Sequence, residues 1–179
     1  MAANTKREVI IRVEDFTAAY DGQVVLEHVS FEVYAGEVFT ILGGSGCGKS
    51  TLLKHMIGLY RPAAGRILID GDDIAAAPAE KRLAILRKFG VMYQSGALFG
   101  SMTLLENVSL PLEEFTDLPP EAIRLIALMK LQRVGLSGAA DRMPSELSGG
   151  MQKRAAIARA MALDPQLLFL DELSAGLDP

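Results

Sequence analysis

Nine consecutive residues, Gly43-Gly44-Ser45-Gly46-Cys47-Gly48-Lys49-Ser50-Thr51, carry the most legible chemistry in this chain. They fit G-x-x-x-x-G-K-[ST], a glycine-rich loop set between a strand and a helix. Glycine tolerates positive φ, so successive backbone N–H groups can converge on one anion. The N-terminus of the following helix adds the positive end of its dipole. Lys49 supplies a point charge for the β- and γ-phosphates of a nucleotide, and the Ser50 hydroxyl supplies a ligand for Mg²⁺. The apolar run Val38-Phe39-Thr40-Ile41-Leu42 directly precedes the loop and predicts the strand that delivers it.

Two further stretches have the composition of reaction sites. Leu167-Leu168-Phe169-Leu170-Asp171-Glu172 is an apolar run ending in two carboxylates. Acidic residues also end strands as solvated turn groups. In a chain that carries a phosphate loop, Asp171 reads as a Mg²⁺ ligand acting through a water, and Glu172 as the group that orients or deprotonates the attacking water. Leu147-Ser148-Gly149-Gly150-Met151-Gln152 opens a helical segment. Ser148 is well typed for an N-cap, yet two glycines in a first turn cost about 1 kcal/mol each relative to alanine. An anion that must approach the helix N-terminus closely explains them; small residues kept for packing are the alternative. Cys47 lies among loop amides near Lys49, where a thiolate is stabilised. Its plainer reading is a small residue that fits the loop.

The elements that must position these groups follow from periodicity and turn signals. Candidate strands cover 9–13, 29–33, 38–42, 67–69 and 91–93. Asp21-Gly22, Ala35-Gly36, the stretch from Pro62 to Gly65, and Asp70-Gly71 separate them. The helix after the phosphate loop spans 49–57 and stops at Gly58. Beyond residue 95 alternation gives way to helical patterns over 103–108 and 120–134. Pro119-Pro120 suits the start of the second and Gly135 its stop. A helix over 149–163 follows. Gln166–Asp171 then returns to a strand apolar on both faces, as the centre of a covered parallel sheet requires. The expected class is α/β: a β-rich nucleotide core, a helical insertion, and the core resumed after it.

Bulk composition narrows the function. At 179 residues the chain is one domain by length, and half of it is apolar, enough for a substantial core. A net charge of −4 and a pI near 5.2 argue against a broad electrostatic footprint for nucleic acid. No apolar run approaches the roughly 18 residues of a membrane helix. The stretch Met1 to Glu8 lacks the apolar segment of a secretory signal. A single cysteine excludes an intrachain disulfide and fits a reducing compartment, so a cytoplasmic location is expected.

Taken together, these motifs resemble the nucleotide-binding subunit of an ATP-binding cassette (ABC) transporter. Gly43–Thr51 corresponds to Walker A, and Gln94 in Val91-Met92-Tyr93-Gln94-Ser95 to the Q-loop. Leu147–Gln152 corresponds to the LSGGQ signature, Leu167–Glu172 to Walker B, and Ser174-Ala175-Gly176-Leu177-Asp178 to the D-loop. Tyr20, in Ala18-Ala19-Tyr20-Asp21-Gly22, stands where the family places an aromatic that stacks on adenine. The resemblance implies a P-loop NTPase (RecA-like) core over 1–94 and 153–179. It also implies an N-terminal antiparallel β subdomain and an α-helical subdomain inserted over about 95–152.

The same resemblance implies two subunits arranged head to tail with two ATPs between them. Each ATP is held by the phosphate loop of one subunit and by Ser148, Gly149 and Gly150 of the other. Gln94 is expected to contact Mg²⁺ and the attacking water and to link the site to the membrane partner; Asp178 is expected to reach across the dimer. Catalysis then falls to Glu172, Gln94 and Lys49, and the metal to Ser50, Gln94 and Asp171. A transmembrane permease subunit is expected to dock near 94–106, with Leu98, Phe99 and Met102 as candidate contacts. Core packing is the alternative for those three. The expected location is peripheral, on the inner face of the cell membrane.

A narrower likeness is visible as well. Met151 replaces the usual glutamine of the signature, and Gln94 is followed by Ser95-Gly96-Ala97-Leu98-Phe99-Gly100-Ser101-Met102-Thr103 and then Glu106-Asn107-Val108. Both are similar to the Mla-type cassette subunits of bacterial lipid-trafficking and solvent-tolerance systems. Those subunits work with permease and MCE-domain partners to move phospholipids at the envelope. The alternatives are an importer of small solutes such as amino acids, and a nucleotide-binding scaffold without turnover. A cassette protein acting on ribosomes or DNA usually has paired cassettes, coiled coils or basic arms, none of which this sequence shows.

Two departures from the family pattern bear on activity. Family members continue past the D-loop to a switch histidine. The sequence ends at Pro179, so the resemblance implies a subunit incomplete at its C-terminus, one that binds ATP weakly and turns over little. His28 and His55 lie before and just behind the phosphate loop and read as surface or packing groups. Leu173 stands where the family usually has proline, which removes the extended bias on Glu172 and predicts slower hydrolysis.

Overall fold

Asp21 and Gly22 both adopt positive φ, 49° and 80°, and close a long hairpin between Val9–Tyr20 (β1) and Gln23–Tyr34 (β2). Such turns match the right-handed twist of the flanking strands. Each arm is 12 residues long, well beyond the expected 9–13 and 29–33. The added length contains register shifts, including one between Val13 and Phe16. Ala64–Ile69 (β3) and Asp72–Asp73 (β4) complete a four-stranded antiparallel sheet in the order β2-β1-β3-β4. This is the antiparallel β subdomain that the resemblance implies. The computed structural model describes residues 7–93 and 96–171, and it divides into two compact units, Met1–Ile85 and Leu86–Pro179.

In the first unit Ile11, Val13, Phe16 and Ala18 are buried on one side of β1, with Ile67 and Ile69 of β3 beside them. The helix Lys49–Met56 (α1) adds Leu52, His55 and Met56 to that core. His55 is a packing residue: its Nδ1 lies 2.8 Å from the Thr51 carbonyl and its ring meets Phe16 edge-on at 5.0 Å. A further helix, Ala79–Leu86 (α2), was not expected from the sequence. Its Ala-Glu-Lys-Arg-Leu-Ala run consists of good helix formers, but the preceding alanines and Pro78 mask its start. The Arg82 guanidinium ties it back by donating to the Gly58 carbonyl.

The expected strand over 38–42 is corrected by the structure. After the turn at Gly36 the chain has no regular structure until α1, and Val38 and Leu42 are 96% and 86% exposed. Apolar, β-branched residues favour a strand only where a neighbouring strand takes up their N–H and C=O groups. No such ladder forms there among the described residues. Phe39 instead stacks on Phe31, with ring centroids 5.0 Å apart.

In the second unit Phe89–Met92 (β5) and Leu167–Leu170 (β6) pair in parallel. Three helices accompany them: Leu104–Phe115 (α3), Pro120–Arg133 (α4) and Gly149–Ala160 (α5). Short 3₁₀ turns at Ser137–Ala139 and Pro144–Glu146 connect α4 to α5. Leu104, Val108, Leu112, Ile123, Ala127, Leu131, Ala155 and Ala158 form the apolar centre of this bundle. Thr103 caps α3 in a full capping box: its hydroxyl accepts the Glu106 N–H, and the Glu106 carboxylate accepts the Thr103 N–H at 2.6 Å. Those bonds hold the Glu106 carboxyl below its usual range, so this support is present above the ordinary carboxylate pKa and fades as acid protonates it.

Candidate functional site

The phosphate loop is built, although the strand before it is not. Gly46 and Gly48 take φ of 79° and 96°, a region closed to most side chains. Gly48 is also the N-cap of α1, in the left-handed conformation, and a Cβ there would sit 2.9 Å from the Leu26 side chain. Two constraints therefore meet at one residue. Among the described residues no side chain caps α1, and its first turn carries no acidic residue. Among the described residues no side-chain cap or first-turn carboxylate compensates its N-terminal dipole, the state that suits an incoming anion. Lys49 Nζ folds back to donate to the carbonyls of Gly43 and Gly44, each at 2.8 Å. These bonds clamp the loop around its own lysine, and the ammonium can exchange them for phosphate oxygens. Ser50 follows the lysine in the first turn of α1 and is exposed. Ser45 lies at the exposed crown of the loop.

Cys47 Sγ lies 3.7 Å from Lys49 Nζ and fills the space that a Cβ on Gly43 would need, at 2.5 Å. Its role as a small residue fitted to the loop is therefore visible in the packing. Tyr20, at the end of β1, stands beside the same first turn. Its hydroxyl shares a hydrogen bond with the Thr51 side chain, and its ring meets Tyr60 edge-on at 5.6 Å. Partial burial, and then the neighbouring Tyr60, push the Tyr20 phenol above its ordinary pKa, so it stays neutral at physiological pH. The first unit thus gathers Tyr20 and Gly43–Thr51 in one place.

In the second unit, Asp171 directly follows β6, and its N–H donates to the Met92 carbonyl at 2.9 Å. It stands at the carboxyl end of the parallel pair, where ligands bind in open α/β sheets. Ser148 caps α5, its hydroxyl accepting the Met151 N–H at 3.3 Å. A Cβ on Gly149 or Gly150 would meet nothing within 4 Å, so the space above both glycines is open. Gln152 braces the turn before α5 by donating to the Pro144 carbonyl at 2.9 Å. Met151 is half-buried against the apolar cluster, which gives the departure from glutamine a packing reason. Gln94, Glu172, Leu173 and Asp178 lie outside the described residues.

Three residues of this unit escaped the sequence reading. The Lys153 ammonium is buried with no hydrogen-bond partner among the described residues. Asn107 is fully buried, and the Arg159 guanidinium bonds to it. The available signal was a polar residue standing in the apolar stripe of Leu104, Leu105 and Val108. Among the described residues no helix is long and apolar enough to cross a membrane.

Comparison with known proteins gives the geometry a context. The family profile described as ABC transporter matches residues 26–175. The chain is 48% identical over 171 residues to the "Probable ribonucleotide transport ATP-binding protein mkl" of Mycobacterium leprae, covering 96% of this chain and 49% of that protein. It is 45% identical over 170 residues to the "Intermembrane phospholipid transport system ATP-binding protein MlaF" of Haemophilus influenzae, covering 95% of this chain and 64% of that one. The chain therefore spans about half to two thirds of the length of these relatives. Among solved structures, the dimeric ATP-binding cassette MJ0796, in a post-hydrolysis state bound to ADP and Pi, superposes with a TM-score of 0.86 at 33% identity. That match covers 94% of this chain and 76% of the other.

Proposed function

The chain belongs to the ABC transporter family of ATP-binding proteins, and from that premise we propose that it binds and hydrolyses ATP to drive a membrane transporter that handles phospholipids. The observation that carries the nucleotide reading is the loop itself: Lys49 bound to its own loop carbonyls, above an uncapped helix start with no acidic residue. Hydrolysis is the family's activity. The likeness to a protein named for intermembrane phospholipid transport supports the lipid cargo. The likeness to one named for ribonucleotide transport supports a second, small-solute reading.

In this reading the loop amides and Lys49 grip the β- and γ-phosphates, and Tyr20 stacks on the adenine. Glu172 accepts a proton from the attacking water, which Gln94 helps to hold in line with the γ-phosphorus. The hydroxyl of Ser50, the side-chain carbonyl of Gln94 and the carboxylate of Asp171 would hold Mg²⁺ in this reading, since all three are donors of the hard-oxygen type that suits it. The ion held there would supply neutralisation of the charge that develops on the transferred phosphoryl group. Ser148, Gly149 and Gly150 of a second copy close over the nucleotide from the opposite side, and Asp178 reaches across the joint. A permease subunit docks near 94–106, with MCE-domain and accessory subunits beyond it, at the inner face of the membrane. The division into a core over 1–94 and 153–179 and a helical subdomain between belongs to the same reading.

Glu172→Gln tests it. The variant is expected to keep nucleotide affinity, to lose about 10²–10⁴-fold in turnover, and to accumulate as an ATP-bound dimer in size-exclusion chromatography. Unchanged turnover and no dimer would reject the enzymatic reading in favour of a binding scaffold. Tyr20→Ala is a smaller test: loss of stacking worth about 1–3 kcal/mol should weaken ATP about fivefold or more by calorimetry, while inorganic triphosphate binding holds steady.

A further inference from the structure

Arg159 holds together two parts of the second unit that are far apart in sequence. It lies in the last turn of α5, ten residues after Gly149, or about 15 Å along the helix axis. Its Nη2 donates to the Gly96 carbonyl at 2.9 Å and its Nη1 to Asn107 Oδ1 at 3.3 Å. Its Cζ lies 5.8 Å from the centroid of the Phe99 ring, within cation–π range. Asn107 fixes the rest of the same loop. Its Oδ1 accepts the Phe99 N–H at 2.8 Å, and its Nδ2 faces the carbonyls of Phe99, Met102 and Thr103 at 3.0–3.1 Å. A Cβ on Gly96 would touch Ala156 at 3.3 Å, so the loop lies directly against α5. The loop over 96–103 is thus bolted to α5 by partly buried polar bonds, while Phe99 within it stays 51% exposed.

We propose that Arg159 is a positioning residue that makes the loop over 96–103 move as one body with α5, so that phosphate capture at Ser148–Gly150 is transmitted to Phe99. This rests on the nucleotide reading above and assigns the transmission to one side chain. The physical basis is stiffness. A hydrogen-bonded helix transmits displacement along its axis, and its far end is joined to the loop by a bond whose loss takes the side-chain partner from the carbonyl of the buried Gly96. No other link between α5 and the Gly96 carbonyl has this directional, two-pronged form among the described residues. A lysine retains charge but lacks the planar fork that serves both acceptors at once.

Hydrogen–deuterium exchange of the purified protein, with and without Mg-ATP, tests the assignment in a Glu172→Gln background that retains nucleotide. In the Arg159 protein, ATP is expected to slow exchange about fivefold or more in both 149–160 and 96–103, the low end of ordinary coupling. Arg159→Met should keep the slowing in α5 and lose it in the loop; Arg159→Lys should restore part of it, with circular dichroism confirming that both variants fold. Should Arg159→Met not fold, Arg159→Lys carries the same test through its reduced loop response. A loop response undiminished in both variants overturns the proposal, as does a wild-type loop that ignores ATP while α5 responds. If α5 itself is unaffected although calorimetry shows ATP uptake, the Ser148–Gly150 assignment fails and the proposal falls with it. If calorimetry shows no uptake, the phosphate-loop reading is at fault.

Discussion

Lys49→Ala is expected to lower Mg-ATP affinity about thirtyfold or more, because it removes the one side-chain cation set into the phosphate loop. Losing one member of a desolvated, charge-assisted contact costs about 2–5 kcal/mol, and each 1.4 kcal/mol is tenfold in affinity. The same ammonium makes two 2.8 Å bonds to the carbonyls of Gly43 and Gly44. The variant therefore loses a phosphate ligand and also the clamp that shapes the loop. Lys49→Arg separates the two effects. It retains charge, but its longer planar head does not fit between two carbonyls on one glycine-rich turn. Calorimetric titration with Mg-ATP, with thermal melts in parallel, distinguishes a lost ligand from a collapsed loop. Equal affinity in the wild type and Lys49→Ala would remove the basis for the nucleotide reading.

Gly90→Ala should destabilise the protein by about 3 kcal/mol, the upper part of the range for overpacking. The added Cβ would stand 1.9 Å from the Ala160 carbonyl oxygen and 2.7 Å from its carbon. Both are backbone atoms in the last turn of α5, so no rotamer change relieves the clash. Either the helix retreats from β5 or the strand bends, and each opens the packing around Ala156 and Ala160. The entropic gain from losing a strand glycine, about 0.4–1 kcal/mol, offsets little of this. For a chain of this size the midpoint of thermal unfolding should fall by about 6–12 °C. Gly138→Ala is the control: its Cβ meets nothing within 4 Å, and its melting temperature should stay within about 1 °C of the wild type. A Gly90→Ala protein that melts like that control would show that α5 and β5 are not held at this spacing.

How much was legible in the sequence differs by element, for physical reasons. Motifs that bind through backbone were readable because their constraints are local. A left-handed φ at Gly46 and Gly48 and an N-cap at Ser148 are each set within a few residues. α4 was readable for the same reason, since Pro120 starts it where expected and Arg133 ends it one residue short of the expected last residue, 134. The 38–42 strand misled because a strand is defined by its neighbour, and an apolar run carries no information on whether a neighbour is there. β1 and β2 were underestimated where irregularities such as the positive φ of Asp15 break the alternation that periodicity depends on. α3 runs on through Pro111 to Phe115, past the expected end at residue 108, because a proline within a helix loses one bond but keeps its packing. Arg159 and Asn107 were missed because their partnership spans 52 residues. No window along the chain holds both.

The sulfur seated in the phosphate loop has a practical side. Cys47 is the only cysteine of the 179 residues, and it is exposed at the crown of the loop. A maleimide fluorophore would therefore attach at one defined position without mutagenesis, within a few ångströms of Lys49. Because Sγ already fills the space over Gly43, such a label must extend away from that glycine, on a loop whose lysine is its near neighbour. The protein thus carries its own attachment point for an optical readout of changes at the phosphate loop.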